Sequence, residues 1–144
     1  MWFIFALLAS AFWGLTYVLN EQIFKQISIP TALAIEALIL AAVGLLSAVI
    51  GGTLKPDLVT ISHGGRLAWY LAAGIGASIS AGILISLAVS ERNATLAGLV
   101  EVSYPIFIAL FAYVLFKEGE LGWPVALGGA LILSGVFVIY WFAR

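Results

Sequence analysis

Apolar residues run along this chain in long uninterrupted blocks, and polar residues gather in the gaps between them. The blocks cover about 2–19, 31–50, 67–89, 96–116 and 122–142. At ~1.5 Å rise per residue each block is long enough, some with tilt, to cross a hydrocarbon layer of ~30 Å. Blocks apolar on every side predict helices in lipid and exclude the alternating strands of a β-barrel. The gaps carry the punctuation. "NEQIFKQISIP" (20–30) ends in Pro30, which suits the first turn of the next helix. "GGTLKPDLVTISHGGR" (51–66) is the longest expected loop, with paired glycines, a proline and several charged side chains. "SERNAT" (90–95) and "KEGEL" (117–121) close the third and fourth blocks, and Pro124 opens the fifth. The expected fold is an all-α integral membrane protein of five transmembrane helices, forming one domain over residues 1–144.

Composition strengthens this assignment. The 144 residues are 64% hydrophobic and 9% charged, against roughly half and a quarter in soluble domains. Fifteen glycines fit membrane helices, which use them for close backbone approach. The absence of cysteine removes disulfides, thiolate metal ligands and a cysteine nucleophile. A net charge of −1 leaves no basic footprint for nucleic acid. The single histidine, His63, falls in the longest gap, and no metal-ligand cluster, Ser/His pair or phosphate loop is visible. No enzyme, cofactor or metal is therefore expected. A secretory signal competes for the first block, because "LASA" (8–11) imitates a cleavage site. No Lys or Arg precedes it and apolar character continues past it, so a retained helix is expected.

Five spans place the two termini on opposite sides of the membrane. The side of Met1 carries Lys55, Arg66 and Lys117; the other carries Lys25, Arg92 and Arg144. Orientation follows an imbalance of Lys and Arg near the helix ends, and three against three offers none. Two readings stay open: a weak signal from few charges, or a chain that inserts both ways and pairs as an antiparallel dimer. Five short helices have little room to enclose a cavity, which favours the second.

Helices in lipid associate through small residues and interhelical hydrogen bonds. The third span offers Gly74, Ser78 and Gly82 at steps of four, and the fifth offers Gly122, Ala126, Ala130 and Ser134. Spacing does not tell intrachain packing from a dimer contact. Intrachain packing is the simpler reading for the third span, and the two are balanced for the fifth.

Polar groups recur at one depth. Glu36 lies six residues past Pro30, and Glu101 six past Thr95. Both carboxylates thus sit roughly 9 Å below the same membrane face, with Lys and Arg confined to gaps and the C-terminus. The first span adds Ser10, Trp13, Tyr17 and Asn20 at helical steps, the third adds Ser86 and Ser90, and Tyr104 lies one turn beyond Glu101. Ionisable groups at this depth are costly and face a cavity or partner. Each residue also has a plainer use. The aromatic residues suit interfacial belts or packing, the serines suit backbone bonds, and a shallow glutamate can snorkel to water. Pro105 has no N–H to offer the carbonyl of Glu101, so a kink there exposes that carbonyl beside the carboxylate. The segment "EVSYP" (101–105) has the make-up of a site wall.

"ASAFWGLTYVL" (9–19) and "YPIFIALFAYVLFKEGELGWPVALGGALILSGVFVI" (104–139) resemble the EamA-type repeat of the drug/metabolite transporter superfamily. The likeness covers essentially the whole chain and implies a five-helix half-transporter bundle. Most members carry two such repeats, inverted relative to each other, as tandem duplication of an odd helix number requires. One repeat here implies an antiparallel homodimer that rebuilds ten helices. Members of the superfamily move amino acids, drugs, nucleotide sugars and other metabolites, and no shared substrate motif carries over. Four-helix multidrug relatives place a glutamate in the first helix. Here the core of that span has none, so Glu36 and Glu101 take that part.

The leading expectation is a secondary transporter of a small amino-acid-like, cationic or zwitterionic solute. Protons exchange at Glu101 and Glu36, Tyr104 and Tyr17 supply hydroxyls, and Trp13 forms a cation–π wall. The expected location is the prokaryotic inner (plasma) membrane. The alternative is a non-transporting scaffold or subunit that binds a partner membrane protein. An intramembrane enzyme is the weakest class.

Overall fold

Among the described residues, 1–117 and 122–142, the computed structural model contains helices as its only regular elements. In chain order these are α1 (Trp2–Ile23), α2 (Ile29–Ile50), α3 (Leu54–Ser62), α4 (Arg66–Glu91), α5 (Ala94–Glu101), α6 (Tyr104–Phe111), a π-helical turn (Ala112–Phe116) and α7 (Trp123–Phe142). Five stretches are long and apolar enough to cross a membrane: α1, α2, α4, the composite Ala94–Phe116, and α7. Their apolar side chains point outward; Leu38 is 71% exposed and Ile50 85%. A helix solvated by acyl chains satisfies its backbone internally and loses nothing by showing leucine and isoleucine to that solvent.

The chain divides into two units. One comprises Met1–Glu21 with Ala88–Arg144, the other Gln22–Leu87. In the second unit, Pro30 occupies the first turn of α2, where its missing N–H breaks no helical bond. The gap at 51–66, expected as loop, instead contains α3, which contacts α2. Local chemistry accounts for this helix. Pro56 and Asp57 fall early in it, where proline is tolerated and a carboxylate favours the positive helix end. Gly64 and Gly65 then reverse the chain at φ +71° and +76°, conformations that cost glycine little.

In the first unit, α1 continues past the expected boundary at residue 19 and takes Asn20 and Glu21 into the helix. Asn93 starts α5 in extended conformation, and its side-chain oxygen accepts from the Leu96 amide at 2.8 Å, a typical N-cap arrangement. The fourth span was expected to be one helix kinked at Pro105. It is divided outright: α5 stops at Glu101, Val102 and Ser103 form a turn, and Pro105 sits in the first turn of α6. Lys117 ends the π-helical turn at φ +58° with its ammonium 5.3 Å from the Tyr113 ring centroid. Gly129 of α7 faces Ile106 of α6, where an added Cβ would make ordinary contact at 3.5 Å from Cγ1. Of the "KEGEL" gap only Lys117 is described. Residues 118–121 and the C-terminal 143–144, including Arg144, lie outside the described residues.

Candidate functional site

The site is built where α1 meets α5. Along α1, Trp13, Tyr17 and Glu21 recur every four residues and share one face. On α5 the facing residues are Ala94, Gly98 and Glu101. The Tyr17 hydroxyl donates to the Glu101 carboxylate, and the Ala94 amide donates to Oε2 of Glu21 at 2.7 Å. Because the order of partners is reversed, the two helices run antiparallel. Gly98 lies between these links and makes room for the tyrosine; a Cβ at 98 would stand 3.2 Å from Cδ2 of Tyr17. Ala94 and Ala97 on α5, and Val89 just before it, are buried. Small side chains on a membrane helix let its neighbours approach, and α5 packs against α7 as well as meeting α1.

Electrostatics give Glu101 its character. Neither α1, α5 nor α6 contains a Lys, Arg or His, so these helices offer the carboxylate a hydroxyl donor and no cation. A hydrogen bond to a charged group contributes about 1.5–3 kcal/mol. The carboxylate is half-buried and lies seven residues into α5, roughly 10 Å along the axis. Trp13 flanks Tyr17 with ring centroids 6.0 Å apart and planes tilted by 49°. The cluster can hold one positive charge, as a proton on oxygen or as a solute cation with an aromatic wall beside it.

The other expected site residues fall as follows. Tyr104 is the first residue of α6 and is exposed, and Asn20 is half-buried on α1. Glu36 is an exposed residue of α2, in the second unit. Ser86 on α4 is buried and donates to the Gly82 carbonyl at 2.7 Å, while Ser90 is exposed. Of the third-span ladder, Gly74 and Ser78 are exposed and Gly82 is half-buried. In the fifth span, Ala126 and Ala130 line an apolar groove of about 630 Å³, with Ile106 and Tyr113 on the opposite wall. Ser134 donates to the Ala130 carbonyl at 2.8 Å, and Gly122 precedes α7. No three His, Asp or Glu side chains among the described residues are placed to hold a metal ion.

Glu21 joins the candidate residues only through the fold, because by hydropathy it falls in a gap. Two signals were present: it lies four residues after Tyr17, and Asn93 is an N-cap residue whose helix needs partners for its first amides.

No curated protein and no solved structure matches the chain. Residues 1–141 match the model of the EamA-like transporter family, and that match takes in α1 through α6 and all but the last residue of α7. It therefore covers all five membrane-crossing stretches, the divided fourth span and the Tyr17–Glu101 seam alike. This chain belongs to the EamA-like transporter family, integral membrane proteins that move small solutes.

Proposed function

We propose that the protein is a proton-coupled secondary transporter in which Glu101 carries either a proton or the positive charge of an amino-acid-like, cationic or zwitterionic solute. The observation that carries this is the hydrogen bond from Tyr17 to Glu101 at the interrupted fourth span. A carboxylate held there by a hydroxyl, on helices without a cation, is free to exchange one positive partner for another. Mutual exclusion at that carboxylate couples the two fluxes. Tyr17 orients the carboxylate, Trp13 and Tyr104 offer ring faces, and Glu36 serves as a second, lesser carboxylate without the tyrosine–proline wall. We test the solute class by thermal shift in detergent, since a ligand bound only to the folded state stabilises it. A solute that competes with protons should raise the Tm more at high pH than at low pH. A shift that persists unchanged in Glu101→Gln would place that solute elsewhere.

The balanced loop charges support an antiparallel homodimer, which we place in a prokaryotic inner membrane. Reporter tags at the two ends should mark opposite compartments within each molecule, and a mixture of both orientations across molecules. Two lysines added beside one end should drive the mixture to one orientation, because small changes decide a balanced case. A single native orientation with crosslinks only between like faces would eliminate the antiparallel homodimer; a single orientation alone would point to a partner chain of opposite orientation.

A further inference from the structure

The second link between α1 and α5 plays no part in the exchange just described. Glu21 accepts from the Ala94 amide at 2.7 Å, and Ala94 is the first residue of α5 and buried. The helix is eight residues long, so the amides of its first turn, which have no partner within the helix, are a large share of its donors. Two of its leading amides are satisfied from outside the helical ladder: Leu96 by Asn93 and Ala94 by Glu21. The carboxylate also suits the positive end of the helix. At the other end of the same seam, Tyr17 holds Glu101.

We propose that Glu21 is the positioning residue of this site. By gripping the first amide of α5 it sets how far that helix lies along α1, so that Gly98 sits under the Tyr17 ring and Glu101 reaches the hydroxyl. A slip of one residue, ~1.5 Å, exceeds what an O–H···O bond tolerates. Glu21 binds neither solute nor proton in this scheme and acts only through the Tyr17–Glu101 pair. Its importance to transport rests on the assignment of Glu101 as the coupling group, whereas the geometry can be tested without transport.

The probe is dicyclohexylcarbodiimide, an apolar reagent that labels carboxyl groups in lipid. It is applied to the full chain in phosphatidylethanolamine/phosphatidylglycerol vesicles, and the labelling rate at Glu101 is read by peptide mass spectrometry. Tyr17→Phe removes the hydroxyl that shields Glu101 and sets the fast reference. Glu21→Ala and Ala94→Pro should each raise the Glu101 rate about fivefold or more over the native chain, approaching Tyr17→Phe. The proline variant keeps the carboxylate, removes the donor N–H and sets a ring carbon in its place, which itself pushes the Glu21 carboxylate off the nitrogen. Its position suits it, since residue 94 is the first of the helix and Asn93 is already extended at φ −172°, ψ 165°. It therefore decides the matter even where Glu21→Ala does not fold. Glu21→Gln retains an acceptor oxygen for the Ala94 amide and should stay within about twofold of the native rate. Combined with Tyr17→Phe, Glu21→Ala should add no further increase, because both act on one link. Native rates at Glu101 in Ala94→Pro or a folded Glu21→Ala, beside a fast Tyr17→Phe, would overturn the proposal. So would a Tyr17→Phe rate equal to the native one. Transport that ignores Glu101→Gln would sink the transporter mechanism and leave these labelling rates untouched.

Discussion

Glu101→Gln is expected to reduce pH-driven solute flux in proteoliposomes to the level of protein-free vesicles, with the helical fold and the proposed dimer intact. The substitution preserves shape and leaves an amide oxygen that accepts from Tyr17, so the α1–α5 seam should survive. It removes the charge and the exchangeable proton, and on the proposed scheme no other group of the seam can replace them. Tyr17→Phe should be the milder lesion. It keeps the carboxylate and forfeits a charge-assisted hydrogen bond of about 1.5–3 kcal/mol, roughly 10- to 100-fold in apparent affinity. Glu36→Gln should cost less still, because Glu36 lacks a tyrosine and proline beside it. The measurement is flux under an imposed pH gradient at equal protein incorporation. Wild-type flux from the Glu101→Gln protein would remove this carboxylate from the mechanism, and "EVSYP" would revert to a break in a packing helix.

The second large effect is expected at Gly98, where stability and activity should move apart. Gly98→Ala places a Cβ 3.2 Å from Cδ2 and 3.5 Å from Cε2 of the Tyr17 ring, so the ring must give by a few tenths of an ångström. In the interior of a helix the same change gains roughly 0.5–1 kcal/mol over glycine. The Tm should therefore hold or rise slightly while flux falls several-fold, because the displaced ring strains its hydrogen bond to Glu101. Gly98→Leu leaves no such compromise. Its side chain claims the space of the tyrosine ring, and overpacking of that kind costs about 1–3 kcal/mol; flux should be lost along with a lowered Tm. A Gly98→Leu protein that transports like the native one would show that the seam opens freely and that the Tyr17–Glu101 pair does not control the site.

The sequence by itself determined the solvent, the number of crossings and the place where the fourth crossing breaks. Each is a local property. Some twenty apolar residues in a row specify a spanning helix because lipid leaves the backbone no other partner, and Pro105 withholds an N–H wherever it is packed. Smaller local features were harder to read. Helix α3 is short and less apolar than its neighbours, and the glycines flanking it read as loop. Helix α1 runs on past residue 19 to Ile23, because a helix end at the membrane face tolerates the polar Asn20 and Glu21. What only the tertiary structure decided is which groups meet. Tyr17 and Glu101 are separated by 84 positions, and Glu21 and Ala94 by 73. Their pairing depends on the register of α5 against α1. Gly98 gives the Tyr17 ring its room in that register, and on our proposal the Glu21 side chain that meets the first amide of α5 sets it. Helical periodicity says which residues share a face, and is silent on how far one helix lies along another. Matched depth put Glu101 and Glu36 at one level in expectation; packing supplied Tyr17 as the hydrogen-bond donor to Glu101 and set Glu21, within a helix, against the first amide of α5.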